Sequence, residues 1–577
     1  MRRAACLLSG RLALALLKEE EMTGKHGSAA GSWRTRKLTG PIAIAVAMTL
    51  LVAACTGTGE GSSTTGEGEP GTTQAGSGGG TIDELVWSFN TPFATLDPML
   101  AGDLSSESAI SNSVEALVVY DSDGVIVPYL AESWTQPDAT TYVFKMREGV
   151  TFWDGTEMTM DDVLYWLERI MHNDASIFNG YFADVVSFEE TADMELTLKL
   201  DIPSPTFIQR AVFLFVGQKA YTEEHEDELG TPGALGMYTG QYEMTEWTPG
   251  ERVILEQYEG YWGDMAPAAR IVYRSIEDDE TRRLALQSGE IDGAFNVPPG
   301  QSEQWAADNV SVVTAPNLQL GYVSFDTASE PWSDIHVRKA VAHAIDREGI
   351  VSAIMKGNAD VANTSPPPQE WSALLEPDEI ESLYTSLPDY EFDLDMARAE
   401  LALSAFPDGF AAELPVPPTP PELEQIALTI SQNLAEVGID LQVTNVSVEA
   451  YRANWFDSKE NTGIQLILNG PSAQDPSDFP GQMLTEQYNV SGGYNTANYI
   501  NPEIEDLWIE QSSSTDPAVR AEAIGEVLMI AGEDAPYAPI IWNRGVAAVS
   551  NEFTLDGFHA AWYVIQPWAN WISPAGE

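Results

Sequence analysis

Carboxylates dominate the residues of this 577-residue chain that could do chemistry, with 88 Asp and Glu against 28 Lys and Arg. Such abundance robs any single pair of meaning: two neighbouring carboxylates arise here from composition alone and say nothing about glycosidic-bond hydrolysis. Among six histidines, His336 and His343 are suitably placed to share a helical face, but two turns separate them, too far for one metal ion. A structural role is expected for both, and no metal site. The signatures G-x-S-x-G, H-E-x-x-H, C-x-x-C and the P-loop are absent, so no catalytic residue and no cofactor is assigned. Residues 66–71 (GEGEPG) match G-x-G-x-x-G only formally. No strand precedes them, no helix follows, and Glu67 and Glu69 would repel a pyrophosphate. What remains is binding chemistry, carried by amides at strand ends. Asn296 closes the run 290–295, and Asn469 opens the loop after the apolar run 464–468, the place where open α/β sheets present groups to ligands.

The elements that must position these amides are legible from their periods. In 141–147, Tyr142, Phe144 and Met146 alternate with Thr141, Lys145 and Arg147, the pattern of a half-buried strand. Trp153-Asp154-Gly155 supplies a turn, and Thr159 with Asp162 three residues later reads as a capping-box variant that starts a helix. Val163, Leu167, Ile170 and Met171 then share one face of that helix, as packing on a sheet requires. Further strands are expected at 85–89, 194–200, 253–258, 321–326 and 439–443. Helices are expected at 280–288, stopped by Gly289, from Asp334 onward with Val337, Val341, Ala344 and Ile345 inward, and at 423–437.

The stretch 128–171 has a further property. Its P-x-L-A-E-S-W, Y-x-F-K-M-R-x-G-V-x-F-x-D-G-T and D-D-V resemble the signature segment of the family 5 extracytoplasmic solute-binding proteins, relatives of the oligopeptide- and dipeptide-binding proteins of ABC importers. T-L-D-P at 95–98, L-x-S-G-E-I-D ending at Asp292, S-D-I-x-V-R-K-A-V-A-x-A-I-D-R-E from Ser333, and N-P-E-I-E-D-L from Asn501 continue the likeness in order. The resemblance implies an α/β, two-lobed, type II periplasmic-binding-protein-like fold with an additional small domain inserted in the first lobe. Lobe I would comprise 81–115, 221–325 and 539–577, the small domain 116–220, and lobe II 326–538. It also implies ligand contacts at Asp103, in the loop behind T-L-D-P, and at Asn495. In peptide-binding relatives the loop after the strand 464–468 reads W-x-A-D-Y, and its aspartate pairs with the peptide amino terminus. Ungapped, this chain has Asn469 for the tryptophan and Ser472 for the aspartate; a gapped pairing puts Asp475 in that role instead. A hydroxyl in place of a carboxylate forfeits a charge-assisted hydrogen bond of roughly 1.5–3 kcal/mol, or about one to two decades of affinity for an α-amine.

Length predicts two to four domains, and 44% hydrophobic residues suffice for their cores. The formal net charge of −60 opposes contact with nucleic acid and suits a solvated surface outside the cell, in salty surroundings or not. Residues 42–54 are apolar, follow Arg34, Arg36 and Lys37, and end at Cys55. This reads as a signal peptide over 1–54, with Met1 or Met22 as the start, and resembles a bacterial lipobox in which Cys55 is lipidated; a buried structural cysteine is the competing reading. The only other cysteine, Cys6, lies in the leader, so no disulfide is expected. The Gly-, Ser- and Thr-rich residues 55–80 form a tether spanning about 25–30 Å as a flexible coil. The expectation is a monomeric, membrane-anchored, extracytoplasmic lipoprotein that binds a peptide or oligosaccharide between two lobes and hands it to ABC permease subunits. A secreted glycan hydrolase, or a chemosensory or structural lipoprotein on the same fold, are the alternatives.

Overall fold

The computed structural model describes residues 82–121, 124–456, 463–471, 473–559 and 565–576. The expected leader 1–54, the tether 55–80 with Cys55, and Ser472 lie outside the described residues. Among the described residues no helix is long and apolar enough to cross a membrane.

A mixed sheet of nine strands is the frame. Its order runs Tyr242–Thr248, Arg252–Gln257, Arg270–Ser275, Leu85–Phe89, Gly293–Ala294, Tyr537–Ser550, Val310–Phe325, Ile464–Asn469, with Ala359–Val361 paired on the side of Tyr537–Ser550. Leu85–Phe89 is covered on both faces, and its LVWSF therefore reads as a continuous apolar run rather than an alternation. Gly293 is required beside it, because a Cβ there would meet the Trp87 ring at 2.1 Å. Of the run 290–295, only Gly293–Ala294 forms a strand.

Two strands cross the whole molecule. Val310–Phe325 and Tyr537–Ser550 pair antiparallel from Val310↔Ser550 to Ser324↔Tyr537, with register breaks between Pro316 and Leu320 and between Gly321 and Tyr322. The sequence predicts only the second half of the first of these, at 321–326. Pro316, Asn317 and the polar residues around them look like a loop, and the partner strand overrides that local preference. One hydrophobic core, holding Trp87, Tyr273, Phe295 and Trp568, lies at one end of this ribbon. Another, holding Val323, Val341, Ile430 and Ile540, lies at the other.

A separate four-stranded antiparallel sheet has the order Ala131–Asp138, Thr141–Met146, Glu195–Leu200, Val185–Ala192. Thr141–Met146 alternates in burial as its sequence requires. The helix Met160–His172 starts where Thr159 N and Oγ1 both donate to Asp162 Oδ2, at 2.9 and 2.7 Å. Val163, Leu167 and Ile170 are fully buried. On the same helix Arg169 reaches Asp97 of the T-L-D-P loop in a bidentate, buried pair, Nη1–Oδ1 3.0 Å and Nη2–Oδ2 2.6 Å, which staples this sheet's helix to the main body. The helices Asp279–Ser288, Ile335–His343 and Pro421–Glu436 follow the sequence expectation, with Gly289 in the left-handed conformation after the first. His336 Nδ1 faces Glu400 at 2.7 Å and His343 Nδ1 faces the Glu391 carbonyl at 2.9 Å.

Candidate functional site

Where the two long strands lose register, a cavity of about 460 Å³ opens. Its floor is the break itself: Asn317, Leu318 and Gln319 from one strand, Asn543, Arg544 and Gly545 from the other. One wall comes from Asn90, Leu104, Asp279 and residues 296–299, the opposite wall from residues 419–422 and 469–471. Both halves of the molecule therefore line it. Pro316 contributes no amide donor to the ladder, which lets the backbone leave the sheet there and turns polar side chains into the cavity rather than into a core.

Asn296 and Asn469, read from the sequence as strand-end amides, are brought together on this cavity. Asn296 has a left-handed backbone, φ +54°, which asparagine tolerates better than most residues. The fully buried Arg282 holds it by donating to the Phe295 and Asn296 carbonyls, at 2.6 and 2.7 Å. Arg282 is itself paired with Asp279 at 2.7 Å. Asn469 ends the edge strand Ile464–Asn469, and its Nδ2 is buried without a hydrogen-bond partner among the described residues. So is Asn543 Oδ1, whose amide nitrogen donates to Gln319 Oε1 at 3.4 Å. A buried amide atom left unpaired costs roughly 1–3 kcal/mol, and a polar solute in the cavity would remove that penalty.

The other expected residues are placed differently. Asp103 caps the helix Leu104–Ile110, its Oδ1 accepting from Ser106 N at 2.9 Å, and the neighbouring Leu104 faces the cavity. Asp475 is 2% exposed and accepts from Arg520 Nη2 at 2.7 Å and from Ser477 Oγ at 2.6 Å. Asn495 is fully engaged in its own loop, donating to the Thr485 and Tyr499 carbonyls and accepting from Tyr499 N. Neither Asp475 nor Asn495 is among the residues that line the cavity.

Charged groups that sequence reasoning passed over do line it. Glu422, in the first turn of the helix Pro421–Glu436, is buried and accepts from Gly300 N across the cavity at 3.3 Å. Arg544 donates twice to Asp360, at 2.9 and 3.2 Å. A signal for Arg544 was present: it is the only ionisable side chain on an acid-or-base count within the apolar strand YAPIIWNRGVAAVS, apart from the Tyr537 phenol. The aromatic residues behave as core. Trp87, Trp166, Trp305, Trp371 and Trp568 are fully buried, and among the described residues the cavity lining carries Phe558 but no tryptophan or tyrosine.

Comparison with known proteins fits this geometry. The model of the bacterial extracellular solute-binding proteins, family 5, matches residues 125–491. The glutathione-binding protein GsiB of Shigella flexneri is 27% identical over 482 residues, covering 82% of this chain and 91% of its own. Among solved structures, the periplasmic binding protein DppA of Helicobacter pylori, in complex with the peptide STSA, superposes with a TM-score of 0.71 at 24% identity, covering 85% of this chain and 98% of that one. The substrate-binding protein CtaP of Listeria monocytogenes gives 0.75 at 22% identity, over 85% and 99%.

Proposed function

The chain belongs to the family 5 bacterial extracellular solute-binding proteins of ABC transporters, and from that premise we propose that it captures a peptide-type solute in the cavity between its lobes and delivers it to an ABC importer. The observation that carries the ligand site is the cavity at the register break, lined from both halves, with the unpartnered Asn469 Nδ2 on one wall and Asn543 Oδ1 in the floor. Its relatives are binding proteins, and the protein is a binding protein rather than an enzyme. A peptide-type solute is favoured because a relative of the same fold, DppA, holds the peptide STSA, and the cavity lining offers amides and charges that a peptide backbone can meet.

Binding draws the two walls together because a solute touching Asn296 on one side and Asn469 on the other gains both contacts only when the lobes are closed. Its differential affinity for that form shifts the population. In this reading lobe I comprises 81–115, 221–325 and 539–577, the small domain 116–220 and lobe II 326–538, with the long strands as the hinge. Cys55 carries the lipid, and residues 55–80 are the tether that lets the binding domain meet its permease. Asp103, Ser472, Asp475 and Asn495 act around the site, Asp475 through its pairing with Arg520.

A thermal-shift screen of the full chain in detergent, against short peptides, oligosaccharides and metal chelates, tests the reading. Stabilisation by a peptide, with the peptide recovered intact, is the expected result. Conversion of the added compound into product, or no shift with any class, overturns it.

A further inference from the structure

Four arginines are buried among the described residues, and Arg347 is the one left with neither a carboxylate nor a full set of carbonyls. Arg282 and Arg520 meet Asp279 and Asp475, both at 2.7 Å. Arg338 engages Nε, Nη1 and Nη2 with the Asp534, Ala535 and Trp332 carbonyls. Arg347, 7% exposed, donates from Nε to the Pro539 carbonyl at 2.7 Å and from Nη1 to the Ala342, Ile345 and Tyr390 carbonyls at 3.2, 3.5 and 2.8 Å. Among the described residues its Nη2 has no hydrogen-bond partner and its charge no ion pair. A guanidinium keeps its proton at neutral pH, so it cannot answer burial by becoming neutral.

Arg347 lines a cavity of about 50 Å³ at the start of the strand Tyr537–Ser550. Asn363, Thr364 and Ser365 line it too, and the side chains of all three are without hydrogen-bond partners among the described residues. Thr364 and Ser365 are 7% and 9% exposed, so bulk water does not replace the missing partners. Three consecutive polar side chains and a cation, all unanswered on one cavity, reverse the rule that buried polar groups are paired. Met483, Leu484 and Leu528 supply an apolar side. Asp389 also lines the cavity but is exposed. Its charge acts on Arg347 without offsetting burial, which pulls the guanidinium down to about 10. None of these residues lines the solute cavity.

We propose that this cavity is a second ligand site, separate from the solute cavity, and that it takes a short-chain monocarboxylate whose carboxylate pairs with Arg347 Nη2 and accepts from Thr364 and Ser365. A cation among hydroxyl and amide donors selects an anion, and a carboxylate gains charge-assisted hydrogen bonds from a guanidinium. Size limits the rest. At roughly 10–15 Å³ for each water-sized group, the cavity has room for about three to five heavy atoms, the size of acetate or propionate. The apolar side receives the alkyl group, whereas phosphate and sulfate present oxygens on every side and would leave some of them against Leu484 and Leu528. The bound acid supplies the counter-charge that Arg347 lacks, and it therefore stabilises the folded protein. This inference goes beyond the receptor reading and does not depend on it.

The test is titration of the full chain in detergent with sodium propionate, sodium acetate, sodium phosphate and propionamide, with ionic strength held constant by sodium chloride so that screening of the surface charge cancels. Melting temperature reports stabilisation, and saturation-transfer NMR on the propionate methyl signal reports occupancy. The expected result is a saturable rise in melting temperature with propionate or acetate and none with propionamide. Propionate affinity should fall by about tenfold or more in Thr364→Val, which removes a donor to the carboxylate, and binding should vanish in Ala531→Leu, which fills the cavity that Ala531 lines. No rise beyond that of chloride, equal binding of propionamide, tighter binding of phosphate than of propionate, or an unchanged propionate affinity in Thr364→Val overturns the assignment and leaves the receptor reading standing. If Ala531→Leu does not fold, Thr364→Val, which keeps the shape of the side chain, decides.

Discussion

At the scale of single residues, four arginines, Arg282, Arg338, Arg347 and Arg520, lie buried among the described residues. Arg520, 5% exposed, meets Asp475, 2% exposed, at 2.7 Å, and Ser477 Oγ lies within 3.2 Å of the same guanidinium nitrogen. Removing one partner of such a pair leaves a charge in low dielectric with nothing opposite it. Asp475→Ala should therefore destabilise the protein by about 3–5 kcal/mol, read as a lower midpoint in urea with an unchanged slope. A variant within about 0.5 kcal/mol of the parent would show that water reaches Arg520 and that the pair is not sealed. Glu115 presents the opposite situation. Thr239 Oγ1, Tyr261 Oη and Trp262 Nε1 all donate to it, at 2.6, 3.0 and 3.0 Å, yet burial outweighs those donors and pushes its carboxyl up from 4.5 to about 7. A folded-state value above the unfolded one means that the native protein holds the proton more tightly. The stabilisation from Glu115 is thus full below pH 4.5 and is lost as pH rises to about 7. The difference is on the order of 3 kcal/mol. Glu115→Gln should flatten the fall in stability across that window, followed by urea unfolding at a series of pH values, and an undiminished slope in the variant would assign the fall to other groups.

At the scale of elements, what could be read in advance was whatever is local. The capping box at Thr159 and Asp162, the inward face Val163, Leu167 and Ile170, and the Gly289 stop all depend on neighbours a turn away, and each is found as its sequence implies. The long strand Val310–Phe325 was half hidden because its first part takes its conformation from Tyr537–Ser550, more than two hundred residues away. The cavity follows the same division. Asn296 and Asn469 could be picked out because strand ends are local features, whereas Glu422 enters by the way the helix Pro421–Glu436 faces Gly300 across the gap, a contact of remote segments. Arg347 was silent in the sequence for a related reason: nothing around it in AIDREG distinguishes a solvated arginine from a sealed one, and only the fold sets it on one cavity with Thr364 and Ser365. Tryptophan is ambiguous in the sequence, since a residue type fit for stacking on a sugar serves equally to fill a core, as Trp87, Trp166, Trp305, Trp371 and Trp568 do.

At the scale of the whole molecule, the surplus of acid sets the conditions under which the parts hold together. The formal net charge is −60, from 88 acids and 28 bases. Several of those bases neutralise buried or half-buried partners: Arg169 with Asp97, Arg520 with Asp475, and Arg210 with the half-buried Asp184. With 88 acids against 28 bases a large surplus of carboxylates has no base to pair with, and like charges held on a compact body repel more than the same charges on an expanded chain. Salt shortens the reach of that repulsion from about 30 Å at 0.01 M to about 3 Å at 1 M. Melting temperature should therefore climb steeply with sodium chloride at low concentrations and level off once the screening length falls below the spacing between surface carboxylates. Sulfate at matched ionic strength separates the cause, since exclusion from the surface adds to stability beyond screening and continues to grow at high concentration. A melting temperature that is flat in chloride from 0.01 to 1 M would mean that the surface charge is already neutralised, by bound cations or by protonation. A melting temperature that falls would mean that ion pairs such as Arg544 with Asp360 contribute more to the folded state than the surplus acid costs it.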